Sequence, residues 1–312
     1  MPHGIGIIIN PPPELQCIMY GYICKKLEMH IKSSGPSNIM GGLTIIVPVK
    51  AAVPNITAVR LDPVTHNLVR EGVPLMLNPY DRNALEFALR LRDRYGGKVI
   101  TMSMAPPSGK DFLESTIGMG ADEAYLITDR AFAGADTLAT SYTIAKSIQK
   151  LFPNFDIIVF GEETTDSATA HMPAQVASWL GLPYVYYAVE AEVKLEDRVI
   201  RVTRYLEDEG VYETYEYKLP IILSVYKNSN PPRDISLVRK INAKVNGLVK
   251  IIDNNVLKLE RECIGLRGSP TMVTKIEDAK PIERKRQLFK GDPKEAAKWL
   301  LENLVKEGVI RL

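Results

Sequence analysis

Asp156-Ile157-Ile158-Val159-Phe160-Gly161-Glu162-Glu163-Thr164-Thr165-Asp166-Ser167-Ala168-Thr169-Ala170-His171-Met172 is the stretch that decides the fold. Its β-branched and aromatic start reads as a strand buried on both faces. Gly161 and a run of acidic and hydroxyl residues follow, then Pro173 to Leu180, a helix closed by Gly181. In doubly wound α/β proteins a strand that opens through a polar loop into a helix is where nucleotides bind. Free N–H groups of the first helical turn and the helix dipole favour phosphate there. The same residues also suit an ordinary β–α connection with a Thr/Asp/Ser cap, so the rest of the chain has to decide.

Upstream, the same alternation repeats. Gly41 to Lys50 reads as the first buried strand, and Asn78-Pro79-Tyr80-Asp81 as the cap of a helix through Leu91 that Gly96-Gly97 ends. Lys98 to Met104 is a strand followed by a helix from Lys110 to Met119, and Glu123 to Thr128 a strand followed by a helix from Asp136 to Leu151. Downstream, Tyr184 to Val193, Arg198 to Tyr205, Gly210 to Leu219 and Ile221 to Val225 read as strands of an antiparallel extension. Asn228 to Arg233 breaks it. Helices at Leu237 to Asn242 and Pro293 to Glu307 are joined by a charged, irregular segment whose Glu277 to Arg286 run reads as a solvated face. The fold class is α/β: a doubly wound, mostly parallel sheet with an antiparallel extension and a C-terminal arm. Residues 1–40 read as a flexible or loosely docked extension, with Ser33 to Asn38 a linker and Met40 an alternative initiator; residues 41–233 form the α/β domain and 234–312 the arm.

The 312 residues carry a net charge of +2, too little basic surplus for a dedicated nucleic-acid binder. With 46% hydrophobic and 24% charged residues the composition is that of a globular chain. Cys17, Cys24 and Cys263 fit neither a disulfide framework nor a zinc pattern, which points to a reducing, cytoplasmic home. Neither a secretory leader nor a membrane span is read from the pattern.

Four strand ends present polar or small residues: Pro48-Val49-Lys50, Ser103-Met104-Ala105, Thr128 to Thr137, and Gly161 to Met172. In a parallel sheet they converge on one edge, where a nucleotide can lie. No Gly-x-Gly-x-x-Gly and no Walker loop follows the first strand, and of the four histidines only His171 falls among these ends. The residues by themselves reach a nucleotide-binding α/β protein without an acid, base or nucleophile. Asn78, Asp81, Asp136 and Thr137 read equally as helix caps.

From Leu43 to Leu312 the chain resembles the electron-transfer flavoprotein β subunit. The likeness is carried by Asp62-Pro63-Val64-Thr65 with Arg70 to Pro74, Asn78-Pro79-x-Asp81, Gly120 to Ala124, Asp129 to Thr137, Val202-x-Arg204 with Glu207-Asp208-Glu209 and Glu213, and Pro220-Ile221-Ile222. The chain departs at Tyr215, where an aliphatic residue is usual, and at Ser229 to Arg233, where an aliphatic anchor often precedes Asn-Glu-Pro-Arg. The resemblance implies a heterodimer with an α subunit that holds one FAD, the β pocket holding AMP or, in the electron-bifurcating branch, a second FAD. Ala131 to Thr137 is similar to that branch. There the second flavin takes a hydride from NADH and sends single electrons to low- and high-potential acceptors, which makes ferredoxin and a quinone- or acyl-CoA-linked dehydrogenase the implied partners. Membrane association would then come only through partner subunits, and the arm would pack on the α subunit. Cofactor chemistry would also account for the lack of a protein catalyst.

Carried over residue by residue, the resemblance implies nucleotide contacts at Pro48, Val49 and Lys50, at Asn78 and Asp81, at Ser103 and Met104, and at Asp136 and Thr137. Gly161, Asp166, Thr169, Ala170, His171 and Met172 form the implied phosphate-side turn. Ala168 replaces a carboxylate and His171 a glutamine of the related pattern. Two readings remain beside bifurcation: a non-bifurcating carrier with structural AMP, and an adenine-nucleotide-binding regulator without a redox role.

Overall fold

The computed structural model describes residues 42–52, 60–61, 68–69, 76–271 and 287–311. The expectations for residues 1–40, for the turns at 62–65 and 70–74 and for the charged run at 277–286 lie outside the described residues. The described chain falls into two units, 42–271 and 287–311.

In the larger unit β1 (Leu43–Pro48) is followed by the short pieces β2 (Ala51–Ala52), β3 (Arg60–Leu61), β4 (Leu68–Val69) and β5 (Met76–Leu77). Helix α1 (Pro79–Tyr95), β6 (Gly97–Met104), α2 (Lys110–Met119), β7 (Glu123–Ile127), α3 (Thr137–Leu151), β8 (Ile157–Gly161) and α4 (Met172–Leu180) then alternate. Next come β9 (Tyr184–Lys194), β10 (Val199–Leu206), β11 (Val211–Lys218), β12 (Ile221–Val225), α5 (Leu237–Val245), β13 (Val249–Ile252) and the single turn α6 (Asn254–Leu257). One nine-stranded sheet runs in the order β11-β10-β9-β12-β8-β1-β6-β7-β13. All neighbours from β9 to β13 in that order are parallel; β10 and β11 add an antiparallel pair at one edge.

Two expectations are corrected here. Ile221–Val225 does not belong to the antiparallel extension but runs parallel between β8 and β9. All five of its residues are buried, the condition of a strand covered on both faces. Second, the segment after α5 is not wholly irregular, because β13 pairs with β7 and closes the other sheet edge.

Alternate residues of the central strands feed two cores. Ile45, Val47, Val99, Leu126, Ile157 and Val159 pack under α1 and α2, with Leu85, Phe112 and Ile117. Ile46, Ile100, Met102, Ile158 and Phe160 pack under α3 and α4, with Tyr142, Ile148 and Val176. The period-two alternation of the strands thus divides the helices between the faces. Because β1 lies between β6 and β8, the chain leaves β1 toward one side and returns through α3 to the other. That is a topological switch point, and the strand ends at Val49 and Glu162 flank its crevice.

The segment before α5 is fastened to α1. Arg233 donates to Glu86 (Nε to Oε2, 2.7 Å) and to Asp93 (2.9 Å), and Asn83 and Asn230 exchange bonds at 2.6 and 3.2 Å. In the smaller unit, α7 (Pro293–Lys306) starts at Asp292, which accepts from the Lys294 amide at 2.8 Å, and Trp299 packs on Phe289 at 5.6 Å between ring centroids. Among the described residues no helix is long and apolar enough to cross a membrane.

Glu123 ties three strands together, accepting from Lys250 at 2.6 Å, Tyr125 at 2.7 Å and Lys98 at 3.0 Å. Burial works against its ionisation, but the bonds from Lys250, Tyr125 and Lys98 outweigh it and hold the carboxyl down at about 2 instead of 4.5. A carboxyl depressed in the folded state contributes fully above its unfolded value and loses that contribution as pH falls through the folded one. Glu123→Gln should therefore lower the urea midpoint at neutral pH by a margin that narrows as pH drops from 4.5 toward 2. A margin that stays constant over that window would contradict this role.

Candidate functional site at the switch point

The strand ends are held by buried polar side chains of α1. Asp81, 5% exposed, accepts the Lys50 amide through Oδ2 at 2.8 Å, and its Oδ1 lies against Gly161 at the end of β8. One carboxylate therefore sits between the exits of β1 and β8 and is bonded to the first. Desolvation dominates its chemistry: burial pushes the Asp81 carboxyl up to about 7, although the Lys50 amide, Asn78, the Lys50 ammonium and the Gly161 amide all oppose that rise.

Asn78 has the sequence position of a cap, but its side chain makes no capping bond. Instead its Nδ2 donates to the Glu163 carbonyl at 2.8 Å and its Oδ1 accepts the Thr165 amide at 3.4 Å, while its own N–H donates to the Lys50 carbonyl at 3.1 Å. Fully buried, it fastens the loop after β8 to the exit of β1. The capping expectation is corrected: Asn78 holds the N-cap position, but its side-chain oxygen is aimed at the loop after β8 and makes no bond to the amides of its own helix start.

Lys50 Nζ reaches Asp166 at 2.5 Å, and the Asp166 side chain is only 4% exposed. The pair pins the middle of the loop over β1. Beyond it Ala168 (φ 46°) and Ala170 (φ 54°) occupy the left-handed region, which alanine enters only when the surroundings enforce it. Part of that enforcement is Tyr186, whose hydroxyl donates to the carbonyls of Ala170 and of Glu162 (3.1 Å to the latter). Burial is the largest cause raising the Tyr186 phenol, so it stays a donor.

These ties leave donors facing out. Among the described residues the amides of Thr169, Ala170, His171 and Met172 have no protein acceptor, and they lie in an exposed to half-buried turn opening α4. Small side chains at Ala168 and Ala170 keep the approach clear. A row of amide donors at a helix start suits a phosphate or pyrophosphate, so the residues fit a nucleotide.

The remaining expected residues divide. Pro48 and Val49 are buried at the end of β1, the Val49 amide bonding the Met102 carbonyl at 2.8 Å. Ser103 is buried in β6 at 2% exposure and Met104 packs partly into the second core. Asp136 caps α3, accepting from Leu138 and Ala139 at 3.0 Å, and its other oxygen takes the Thr271 hydroxyl at 2.8 Å. Thr137 accepts from Gln175 of α4 at 3.4 Å, which links the starts of the two helices on that face. Lys50, Asn78, Asp81, Gly161 and Asp166 thus form one network, with Asp136 and Thr137 at the start of α3. Tyr186 and Gln175 were not singled out from the sequence. Tyr186 carries no local signal beyond strand alternation, and Gln175 sits within an unremarkable helical pattern. Among the described residues no group of His, Cys, Asp or Glu could hold a metal ion.

The class is therefore a doubly wound α/β protein with a polar cradle at its switch point. Residues 65–249 match the model of the electron transfer flavoprotein domain. The electron transfer flavoprotein subunit beta of Thermoanaerobacterium thermosaccharolyticum is 42% identical over 86% of this chain and 100% of its own length. Subunit CarD of the caffeyl-CoA reductase-Etf complex of Acetobacterium woodii is 41% identical over 71% of this chain and 82% of its own. Protein FixA of Azorhizobium caulinodans is 38% identical over 74% and 83%. The chain belongs to the electron transfer flavoprotein β-subunit family, and its role is in electron transfer.

Gly161 is where the network has least room. A Cβ there would stand 2.5 Å from Asp81 Oδ1, 2.8 Å from the Tyr80 carbonyl carbon and 2.9 Å from the Asp81 amide nitrogen. Gly161→Ala should cost about 1–3 kcal/mol in unfolding free energy through the forced backbone shift. Wild-type denaturant midpoint and slope in that variant would show that the exits are not held this tightly.

Proposed function

We propose that this chain is the β subunit of an electron transfer flavoprotein heterodimer and that its switch-point crevice holds FAD, with the pyrophosphate against the turn from Thr169 to Met172. The observation that supports this most is the set of amides in that turn without protein acceptors, opening a helix beside the exit of β1. When bound, FAD supplies hydride acceptance from NADH and delivery of single electrons to a low- and a high-potential acceptor. The protein's part is placement: Lys50 and Asp166 fix the loop, Asp81 and Asn78 fix the strand exits, and Asp136 and Thr137 border the crevice on α3. His171, exposed at the turn, offers a ring donor to the phosphates.

The α subunit would meet the residues from 234 onward. Helix α5 exposes Leu237, Val238, Ile241 and Val245, and α7 exposes Leu300, Leu301 and Val305, so each carries apolar surface for a partner. The relative named as part of a caffeyl-CoA reductase-Etf complex supports a larger assembly. Ferredoxin and a quinone- or acyl-CoA-linked dehydrogenase fit as acceptors, in a cytoplasmic complex that reaches membranes only through other subunits.

Ligand extraction from the co-expressed heterodimer tests the reading: two flavins per heterodimer, with NADH bleaching the flavin absorbance, is the expected result. One flavin plus AMP would leave a carrier with a structural nucleotide, and no flavin would leave a nucleotide-binding regulator. His171→Ala should weaken flavin retention at least about tenfold, the value of one hydrogen bond to a charged group at roughly 1.5 kcal/mol. Unchanged flavin content would assign the ring no contact.

A further inference from the structure

The strand that carries Tyr186 breaks its own alternation. β9 pairs with β12 through Val185 and Leu223 and then through Ala188 and Val225, so Tyr186 and Tyr187 together stand opposite Ser224. Its pairing with β10 passes over Val189 at the same place, stepping from Glu190 and Thr203 to Ala188 and Arg204. This is a β-bulge. A regular strand would send Val185 and Ala188, three apart, to opposite faces. Here both belong to the core under α1 and α2, which leaves Tyr186 and Tyr187 side by side, their ring centroids 4.8 Å apart. The bulge carries strain: Tyr187 sits at φ 60°, a left-handed conformation that a residue with a large side chain seldom adopts.

The strained bulge brings the Tyr186 hydroxyl to the loop that opens α4. It donates to the Ala170 carbonyl near the end of the loop and to the Glu162 carbonyl at its root, the latter at 3.1 Å. Among the described residues no other hydrogen bond reaches the Ala170 carbonyl. The Ala170–His171 peptide is trans, so its N–H points away from its C=O. A carbonyl drawn toward β9 therefore turns the His171 amide away from β9, where it joins the amides without a protein acceptor. The same bond helps to hold Ala170 at φ 54°, a conformation alanine leaves once it is released. Edge contacts with Tyr184 at 6.4 Å and Tyr187 at 4.8 Å hold the ring, so ring and hydroxyl have separable jobs.

We infer that Tyr186 is the positioning residue of the anion turn: its hydroxyl, through the Ala170 carbonyl, aims the His171 amide at the phosphate of the ligand. The inference rests on the nucleotide reading given above. Tyr186 acts through the backbone and need not touch the ligand. Its bond presets the turn, so removing the bond lowers the fraction of molecules ready to bind.

Calorimetric titration of the full chain with AMP tests this, with Tyr186→Phe keeping the ring and removing only the hydroxyl. AMP affinity should fall about fivefold, the shift in population that one neutral hydrogen bond sustains. Adding Ala170→Gly to that variant should restore most of the loss, because glycine takes a positive φ without help from the tyrosine. Unchanged affinity in Tyr186→Phe would overturn the inference. So would a loss that Ala170→Gly leaves uncorrected, the mark of general packing damage. A second measurement needs no ligand. In ligand-free Tyr186→Phe the Ala170 Cα and Cβ NMR signals should leave their wild-type positions, and unmoved signals would also overturn the inference. Wild-type protein that takes up no AMP would sink the nucleotide reading instead, and the Ala170 signals would then decide, on the same terms, whether Tyr186 sets the turn.

Discussion

A strand that leaves a sheet presents an amide donor beyond its last ladder bond, and at the exit of β1 a buried carboxylate takes it. Asp81 reaches across from α1 to the Lys50 amide, its other oxygen packed against Gly161 of β8, and the site rests on that wedge. Asn78 adds the second fastening, from the Lys50 carbonyl to the loop at Glu163 and Thr165. Lys50 to Asp166 adds the third. With the base of the loop secured in three places, its tip can hold alanines in the left-handed region and leave amides open to solvent. The crevice is built from polar groups used up beneath it and polar groups spared above it.

That division recasts several residues. Asn78, Asp81 and Asp166 belong to types that contact ligands, and their positions at strand ends encouraged that view. Their burial and their partners show that they also hold the loop and the exit of β1. The donors spared for a ligand are backbone amides, which carry no residue-type signature. The chemistry needed of a redox subunit is consistent with this, because a flavin brings its own reactivity and asks the protein for a place and a potential.

Much of the fold was legible. Runs such as Ile157 to Phe160 and Val99 to Met102, punctuated by glycine and proline, mark strands covered on both faces, and the helices between them close on Gly96, Gly120 and Gly181. What misled was context. Ile221–Val225 follows a hairpin directly, which suggests an antiparallel place, although five consecutive buried apolar or small residues mark an interior parallel strand. Val249–Ile252 is a four-residue edge strand inside a charged segment, too short for its period to register. The site was legible as a place, because parallel strands end on one edge. It was not legible as a network: Asn78 meets Glu163 across 85 residues, and Lys50 meets Asp166 across 116. No local pattern encodes such pairs.

The most direct measurement is an amide NMR titration of the isotopically labelled full chain with AMP, which carries the phosphate and adenosine common to both nucleotide candidates. The account predicts saturable shifts at the amides of Thr169, Ala170, His171 and Met172, with smaller ones at Lys50 and Gly161. Shifts confined to other surfaces, with those four amides unmoved at saturation, would contradict it.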